Sequence, residues 1–334
     1  MNAMTSSSIN IARFPLAVLV VFIHSVGPEN GAYYPFRLFF SHEFTTFVVP
    51  TFFIISGYLF FNGGDLSKQR YIRKIKSRIH TLLIPFVFWN VLTLVLDYLK
   101  YVNGHPSWID YGNNNIKNIL MCCFWGNPID DLGGLYFPIN LPLWYIRDLI
   151  VLCVISPLLW SMFKYKYVGF SLVVLLGSIF VLDLKIPYFN IVSILFFSIG
   201  AVFALSGKNL VHNTSASYCG LIGFSTVCLT LYFVCGNQIA LNIYTCVMPF
   251  TALSIAGLAP MMIKEKLSNF AKYSTIVYYS HYPITLIIAI KATNTILPYY
   301  SLINYIIIPL VASVLSIVLK EMYNKFELYG ISKG

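Results

Sequence analysis

The sequence predicts an all-α fold, a polytopic membrane-embedded helical bundle with about ten transmembrane helices. Of the 334 residues, 58% are hydrophobic and 10% are charged, whereas about a quarter of the residues in a soluble domain are charged. The chain contains repeated apolar runs close to or above the roughly 18–20 residues that cross a bilayer. Because lipid offers the backbone no hydrogen-bond partners, these runs should be helices.

The apolar runs can be placed in order along the chain. We predict ten spans, at about residues 9–26, 44–61, 80–100, 142–162, 168–183, 189–206, 217–235, 238–262, 272–290 and 301–320. The longest connection, 101–141, is polar but encloses the apolar stretch IKNILMCCFWG, which we expect to be an interfacial or re-entrant helix. We expect one membrane domain over residues 1–334, with no appended soluble domain.

The basic residues predict the orientation. With a cytoplasmic N-terminus, the 22 Lys and Arg residues divide into 15 in inner loops, 5 in outer loops and 2 within spans. Cytoplasmic loops of membrane proteins carry an excess of Lys and Arg, and an even number of helices then places both termini in the cytoplasm. The net charge of +10 is thereby explained without a nucleic-acid partner. The seven cysteines have no metal-site spacing, so we expect no metal.

Two ionisable residues lie on the first span. Arg13 and His24 are eleven residues apart, which is three helical turns plus about 20°, so they share one face with Ala17 and Val20. Each alone is equally consistent with anchoring at a membrane interface. Together they favour a polar path through the bundle, because intramembrane ionisable residues usually line such paths.

Further candidates lie at the outer end of span two and within span nine. His42 and Glu43 are expected near the level of His24, where a carboxylate beside an imidazole would support its positive charge. Both residues are also consistent with a solvated loop. His281 lies in an apolar stretch beside Tyr278, Tyr279 and Tyr282. It is either a satisfied core histidine or a second polar group of the same path.

A basic cluster precedes span three. Arg70, Arg73, Lys74 and Arg78, together with Lys76, crowd the inner side. They either stop translocation or bind phosphate, which Arg contacts with two parallel hydrogen bonds and Lys contacts as a point charge. A coenzyme A nucleotide would suit such a dense set of cations.

Polar residues also open span four. Arg147 and Asp148 are adjacent, and because neighbouring helix residues do not face each other, we expect each to meet a partner on another helix. Such partners would make either a structural ion pair or part of an acceptor site. Trp144 belongs either to an interfacial aromatic belt or to a sugar-stacking surface.

The ordered set of motifs resembles the acyltransferase-3 family of integral membrane acyltransferases, which includes bacterial O-acetyltransferases of surface polysaccharides. The resemblance rests on Arg13 with His24, on VPTFFIISGYLF in span two, on RYIRKIKSRIHTLLIPFVFW before span three and on YYSHYPI in span nine. LWYIRDLIVLCVISPLL matches a form found in the polysaccharide-modifying subgroup. These stretches are spread over nearly the whole chain in the expected order.

The resemblance implies transfer of an acyl group, most simply acetyl, from cytoplasmic acyl-CoA to a carbohydrate hydroxyl outside a bacterial inner membrane. His24 and Arg13 match the functional residues of helix one, and Arg70, Arg73 and Arg78 match the segment associated with CoA. His24 would act as a general base or carry the acyl group covalently. Glu43, Arg147 and Asp148 would shape the acceptor side.

Two other classes of protein remain open at this level. A secondary transporter or lipid-linked sugar flippase would also need charges in the membrane, but the sequence shows no inverted repeat or paired broken helices. A membrane sensor or scaffold without catalytic activity would not need His24 at all. The oligomeric state is not predicted.

Overall fold

The structure, a computed structural model, describes residues 2–25, 33–129, 135–186, 190–211, 215–298 and 301–331. Helices dominate these ranges, which confirms the predicted all-α fold class. The α-helices in the described ranges are α1 (Ala3–His24), α2 (Tyr34–Leu38), α3 (Val48–Phe61), α4 (Lys68–Arg78), α5 (Ile84–Val102), α6 (Ile116–Phe124), α7 (Trp144–Val154), α8 (Ser156–Phe163), α9 (Lys166–Val181), α10 (Ile191–Leu205), α11 (Ser215–Cys235), α12 (Gln238–Leu258), α13 (Met261–Phe270), α14 (Ser274–Ser280), α15 (Leu286–Asn294) and α16 (Leu302–Ile331).

Shorter helical segments of other types join several of these helices. The 3₁₀ segments are Phe44–Phe47, Leu141–Leu143 and Ala271–Tyr273. The π segments are Phe39–Glu43, Ile79–Leu83 and His281–Thr285, and each contains a histidine. π turns are rare and occur mainly as single bulges in α-helices, frequently at functional sites. These segments therefore direct attention to His42, His80 and His281.

Six continuous helical stretches in the described part of the chain are long and apolar enough to cross a bilayer. They are Ala3–His24, Tyr34–Phe61, Lys68–Val102, Ser217–Cys235, Gln238–Leu258 and Leu302–Lys325. Leu141–Val154 and Ser156–Phe163 bend by 64° at their junction and make a seventh if counted together, while α9 and α10 are shorter apolar helices. The chain is a multi-pass membrane protein. The number ten and the cytoplasmic termini stay predictions, and the predicted span ends at 26 and 189 lie outside the described residues.

The long connection after α5 has a structure of its own. Its apolar stretch forms α6, as predicted, and the Asn115 side chain begins that helix by accepting a hydrogen bond from the Asn118 amide at 2.9 Å. A short antiparallel pair of strands, β1 (Asn127–Ile129) and β2 (Leu135–Phe137), was not predicted. Three residues per strand are too few to show the alternation by which a strand is recognised in a sequence.

A buried carboxylate attaches this connection to α5. Asp97 is 2% exposed and accepts hydrogen bonds from the amides of Trp108 (3.0 Å) and Ile109 (3.3 Å) and from the Tyr111 hydroxyl (3.1 Å). Burial, and then the Asp97 charge, raise the pKa of the Tyr111 phenol, so Tyr111 stays a hydrogen-bond donor. Ile109 packs with Cys122, Cys123 and Ile139 in a small core beneath the connection.

The chain forms two compact units. Unit 1 comprises Met1–Ile9 and Val49–Leu258. Its core includes Phe53, Phe60, Phe61, Phe196 and Phe197, each 2% exposed or less. Within it α3 and α10 approach closely, because a Cβ atom at Gly57 would collide with the Phe197 carbonyl and one at Gly200 with the Ile54 carbonyl. Small residues permit such close packing of membrane helices.

Unit 2 comprises Asn10–Val48 and Ala259–Gly334. It includes most of α1, which packs against the helices of the C-terminal part of the chain. Its core cluster joins Ala17 and Val21 of α1 to Val277 of α14, Leu286 and Ala289 of α15, and Ile308 and Ala312 of α16. The small residues Ala17, Ala289 and Ala312 are each 0% exposed, which is consistent with close helix packing. This core positions the C-terminal end of α1 beside the π segment His281–Thr285.

Candidate functional site in unit 2

Two histidines meet where α1 ends. The ring of His24, the last residue of α1, lies 5.4 Å from the ring of His281, measured between centroids, with 37° between the ring planes. The Tyr282 ring contacts His24 edge-on at 5.8 Å. His24 is half-buried, whereas His281 is 0% exposed. The structure therefore brings His281 beside His24, and the role of His281 as a second polar group of the path stays a prediction.

The backbone holds the His281 ring in one orientation. Its Nδ1 atom lies 2.7 Å from the Tyr278 carbonyl oxygen and 3.1 Å from the Val277 carbonyl oxygen. The other ring nitrogen, Nε2, is buried and has no hydrogen-bond partner in the part of the chain described here. Buried polar atoms normally have partners, so this nitrogen marks a position where a donor is missing.

The sequence explains why the helix departs from α geometry at this point. Pro283 has no amide hydrogen and therefore cannot bond to the carbonyl four residues earlier. Below the interruption, a chain of hydroxyls joins two helices of unit 2. The Ser280 hydroxyl donates to Ser316 at 2.8 Å, and Ser316 contacts Thr285 at 3.1 Å. All three side chains are 0% exposed, so the interruption is tied to α16.

A second π segment brings His42 and Glu43 to the same unit. His42 is exposed and Glu43 is half-buried. His42 and Glu43 lie on the same π segment, which follows the short helix that contains Arg37. Ser41 fixes the segment, because its hydroxyl donates to the Phe22 carbonyl of α1 at 2.8 Å and contacts the Tyr305 hydroxyl at 2.6 Å. The predicted roles of His42 and Glu43 beside His24 stay predictions.

Arg37 is a feature that the sequence reasoning missed, since it was counted as an outer-loop cation. It is 7% exposed, its guanidinium lies 5.2 Å from the centre of the Tyr34 ring, and its Nε atom has no partner among the described residues. Its position in the aromatic stretch YYPFRLFF was the available signal. Such a stretch forms a buried segment more readily than an open loop.

Arg13 lies eleven residues before His24 on α1 and is half-buried. Ala17 and Val20, which separate the two on the same face, are 0% and 1% exposed. The face predicted from helical periodicity is therefore a buried face. At 1.5 Å per residue, Arg13 and His24 are about 16 Å apart along the axis of α1. The two side chains therefore do not contact each other.

The predicted CoA-binding cations belong to unit 1 and have two kinds of surroundings. The Arg70 guanidinium donates to the carbonyls of Asn62, Gly63 and Asp65, beyond the end of α3. Lys74 donates to the Phe60 carbonyl in the last turn of α3. Cations near a helix C-terminus satisfy its unpaired carbonyls. Arg70 and Lys74 thus have structural bonds that sequence reasoning did not foresee.

The two other predicted CoA-binding residues lack such bonds. Arg73 is exposed and Arg78 is half-buried, both on α4. Neither side chain forms a hydrogen bond or an ion pair within the described ranges. The salt bridge found there joins two other residues, Arg147 and Asp148. Ser67 is the N-cap of α4, and its hydroxyl accepts a hydrogen bond from the Arg70 amide. Arg73 and Arg78 therefore remain available to an anionic ligand.

The polar residues of α7, also in unit 1, pair differently from the prediction. Arg147 donates to the Asp148 carboxylate at 2.8 Å, so the two adjacent residues do form an ion pair. The long Arg side chain curls back at the first turn of α7 and spans the angle between neighbouring positions. Each also has a distant partner, although not within another helix as expected: Arg147 donates to the carbonyl of Trp125, which follows α6, and Asp148 accepts from Asn190, which precedes α10.

Trp144 is half-buried beside aromatic residues. Its ring lies 6.1 Å from that of Phe53 and 6.3 Å from that of Phe137, between centroids. Its predicted role in stacking on a sugar stays a prediction. No group of three or more His, Cys, Asp or Glu residues in the described ranges is placed to hold a metal ion.

Comparisons with known proteins give one consistent result. The sequence model of a family described as an acyltransferase domain, acyltransferase-3, matches residues 6–320. The chain is also similar to the succinoglycan biosynthesis protein ExoH of Rhizobium meliloti (strain 1021), with 28% identity over 91% of this chain and 85% of the relative. No solved structure matches.

Proposed function

The chain belongs to the acyltransferase-3 family and is a membrane acyltransferase, and we propose that it transfers an acyl group from acyl-CoA to a carbohydrate hydroxyl. The carbohydrate acceptor is supported by the relative named for biosynthesis of succinoglycan, a polysaccharide. Acetyl is the acyl group that resemblance to the family favours. The acceptor would be a surface polysaccharide or glycolipid on the outer side of a bacterial inner membrane.

The observation that carries the site assignment is the pair formed by His24 and His281 at the end of α1. An imidazole can accept the proton of a hydroxyl as its oxygen attacks the thioester carbonyl, and such a general base contributes about 10²–10⁴-fold. His24 is the half-buried member of the pair and can therefore be reached by substrate. Transfer through a covalent acyl-histidine uses the same residue.

The donor proposal rests on α4. Arg73 and Arg78 carry positive charge that no described acid neutralises, and a CoA nucleotide presents phosphates that Arg can contact with two hydrogen bonds each. Arg70 and Lys74 would instead hold the end of α3 and so position α4. Trp144, Arg147, Asp148 and Glu43 are proposed for the acceptor side. Family membership favours this enzyme over the transporter or flippase that the sequence left open.

The test of the proposed function is replacement of the base. We expect His24→Ala to lower acyl transfer at least about 10²-fold, measured as acyl content of the cell-surface glycan and as acetyl-CoA turnover by purified protein in nanodiscs. His105→Ala is the matched control, because His105 is an exposed histidine of the long connection after α5 and should leave turnover unchanged. Full glycan acylation in the His24→Ala strain would refute the assignment.

A further inference from the structure

The protonation of the His281 ring follows from its contacts. A carbonyl oxygen can only accept a hydrogen bond, so the Nδ1 atom that lies 2.7 Å from the Tyr278 oxygen must carry a hydrogen. His281 is 0% exposed and forms no ion pair with a described carboxylate. A charged form would be costly in such a place. The neutral ring with hydrogen on Nδ1 has its lone pair on Nε2.

The nearest ring that can supply a donor to this lone pair is His24. An N–H···N hydrogen bond spans about 3 Å, and each nitrogen lies about 1 Å from its ring centre, so bonded imidazoles have centroids roughly 5 Å apart. The observed separation is 5.4 Å. The separation of the rings therefore fits such a bond, and His24 is the last residue of α1.

We propose that His281 is a positioning residue for His24: its Nε2 atom accepts the N–H of His24 and directs the other His24 nitrogen, with its lone pair, at the acceptor hydroxyl. This inference rests on the proposed function. In other catalytic sites, a buried carboxylate fixes a histidine tautomer by accepting a ring N–H. Here the Tyr278 and Val277 carbonyls would do this for His281. The neutral His281 then transmits that orientation to His24.

The transfer step balances with this arrangement. The acceptor hydroxyl gives its proton to the free nitrogen of His24 while its oxygen forms a bond to the thioester carbon. The C–S bond breaks with its electron pair on sulfur, and the proton on His24 passes to that sulfur, which releases CoA as a thiol. His281 keeps its Nδ1 hydrogen throughout, because its backbone partners cannot accept a proton. No other reactant is required.

Nitrogen NMR tests the tautomer without any substrate. In ¹⁵N-histidine-labelled protein in nanodiscs, we expect the His281 signals to show a protonated Nδ1 and an unprotonated Nε2. We expect the Nε2 signal to move in His24→Ala, because the donor is lost, and to stay in the matched control His105→Ala. A His281 protonated at Nε2 would overturn the proposal. An Nε2 signal that is unchanged in His24→Ala would overturn it as well.

Kinetics test the positioning role itself. Gln at position 281 keeps an oxygen acceptor and an N–H donor, so we expect His281→Gln to retain kcat within about 10-fold. His281→Leu removes both, and we expect kcat to fall roughly 10²-fold with an unchanged KM for acetyl-CoA, which is the pattern of a lost transition-state contact. Thermal unfolding of both variants checks that they fold.

Equal kcat values for the folded Gln and Leu variants would overturn the positioning role. If the Leu variant does not fold, the NMR signals of the parent protein decide the question. Loss of the proposed function looks different, because the parent protein would then turn over no acetyl-CoA while its His281 tautomer could still be read from the NMR signals.

Discussion

Buried polar side chains in this protein differ in how completely they are bonded. Asp97 accepts two backbone amides and one hydroxyl, whereas His281 has an open Nε2 and Arg37 an open Nε among the described residues. A fully bonded buried group stabilises the fold, while an unmade bond costs about 1–3 kcal/mol. These two positions lie in unit 2 with His24, whereas other buried polar atoms without a described partner, such as those of the Asn140 side chain, lie in unit 1.

The first prediction at the residue scale concerns Asp97. Asp97→Asn removes the charge and one acceptor oxygen from a group that orders residues 107–111, and bonds to a charged group are worth about 1.5–3 kcal/mol each. We expect the amides of Trp108 and Ile109 to exchange with deuterium at least about tenfold faster. Hydrogen–deuterium exchange with mass spectrometry measures this directly.

Asp110→Asn is the matched control for Asp97, because Asp110 is an exposed carboxylate in the same connection. It bonds within its own turn to the amides of Gly112 and Asn113, and those bonds, with that of the Asn113 side chain, hold the pKa of Asp110 below its usual value. Replacing it should leave exchange at Trp108 and Ile109 unchanged. Equal protection in Asp97→Asn and the parent would remove Asp97 from this structural role.

At the scale of single elements, α4 combines two tasks on one helix. Arg70 and Lys74 bind carbonyls at the end of α3, and Tyr71 donates to the Val154 carbonyl at the end of α7. These bonds fix the helix within unit 1. Arg73, Lys76 and Arg78 have no such bonds in the described ranges. The helix is therefore held in place by some of its residues while these three cations stay unbonded.

The prediction for α4 separates specific binding from net charge. We expect Arg73→Ala combined with Arg78→Ala to weaken binding of acetyl-CoA by roughly 10–100-fold, since charge-assisted phosphate contacts are lost. The measurement is equilibrium dialysis with purified protein at low and high salt. The parent affinity should fall with salt because exposed charges are screened, and the variant should depend on salt less.

The control for α4 removes the same charge elsewhere on the helix. Lys68→Ala combined with Lys76→Ala takes away two exposed cations of α4 and should weaken binding several-fold less. If both double variants lose affinity equally, the contribution of α4 is only its total charge. If neither loses affinity, the donor does not bind at α4.

At the scale of the whole molecule, the orientation in the bilayer decides which side the donor must approach. The basic residues predict that α4 and both termini face the cytoplasm, where CoA thioesters are found. That prediction depends on the division of 22 Lys and Arg residues. Arg70 and Lys74 also cap a helix, so part of the inner charge has a reason beyond orientation.

The orientation can be measured by cysteine labelling in cells. In a variant with the seven native cysteines replaced, we expect a cysteine at position 208 or 266 to react with an impermeant maleimide only after permeabilisation. A cysteine at position 105 or 185 should react in intact cells. Each of these positions is exposed. The reverse pattern would place α4 outside and contradict the donor proposal.

Much of this architecture was predictable because bilayer spans need long apolar runs, which a sequence displays directly. The shared face of Arg13 and His24 followed from helical periodicity alone. The ion pair of Arg147 with Asp148 did not, because spacing predicts which backbone positions face each other but not how far a long side chain bends. The tautomer of His281 was equally hidden, since it depends on two carbonyls exposed by an irregular helical segment.

The π segment His281–Thr285 has a consequence for how this chain tolerates insertions and deletions. A π turn accommodates about one residue more than an α turn, so removing one residue from it would restore a continuous α-helix. Later residues of α15 would then keep their places around the helix axis, because the π turn already holds one extra residue without turning the helix that follows. Leu286 and Ala289 would stay in the core of unit 2, whereas a deletion elsewhere in the helix would turn every later residue by about 100° and rotate them out of it. In related sequences, single-residue gaps should therefore be tolerated at these five positions better than in the α-helical residues on either side.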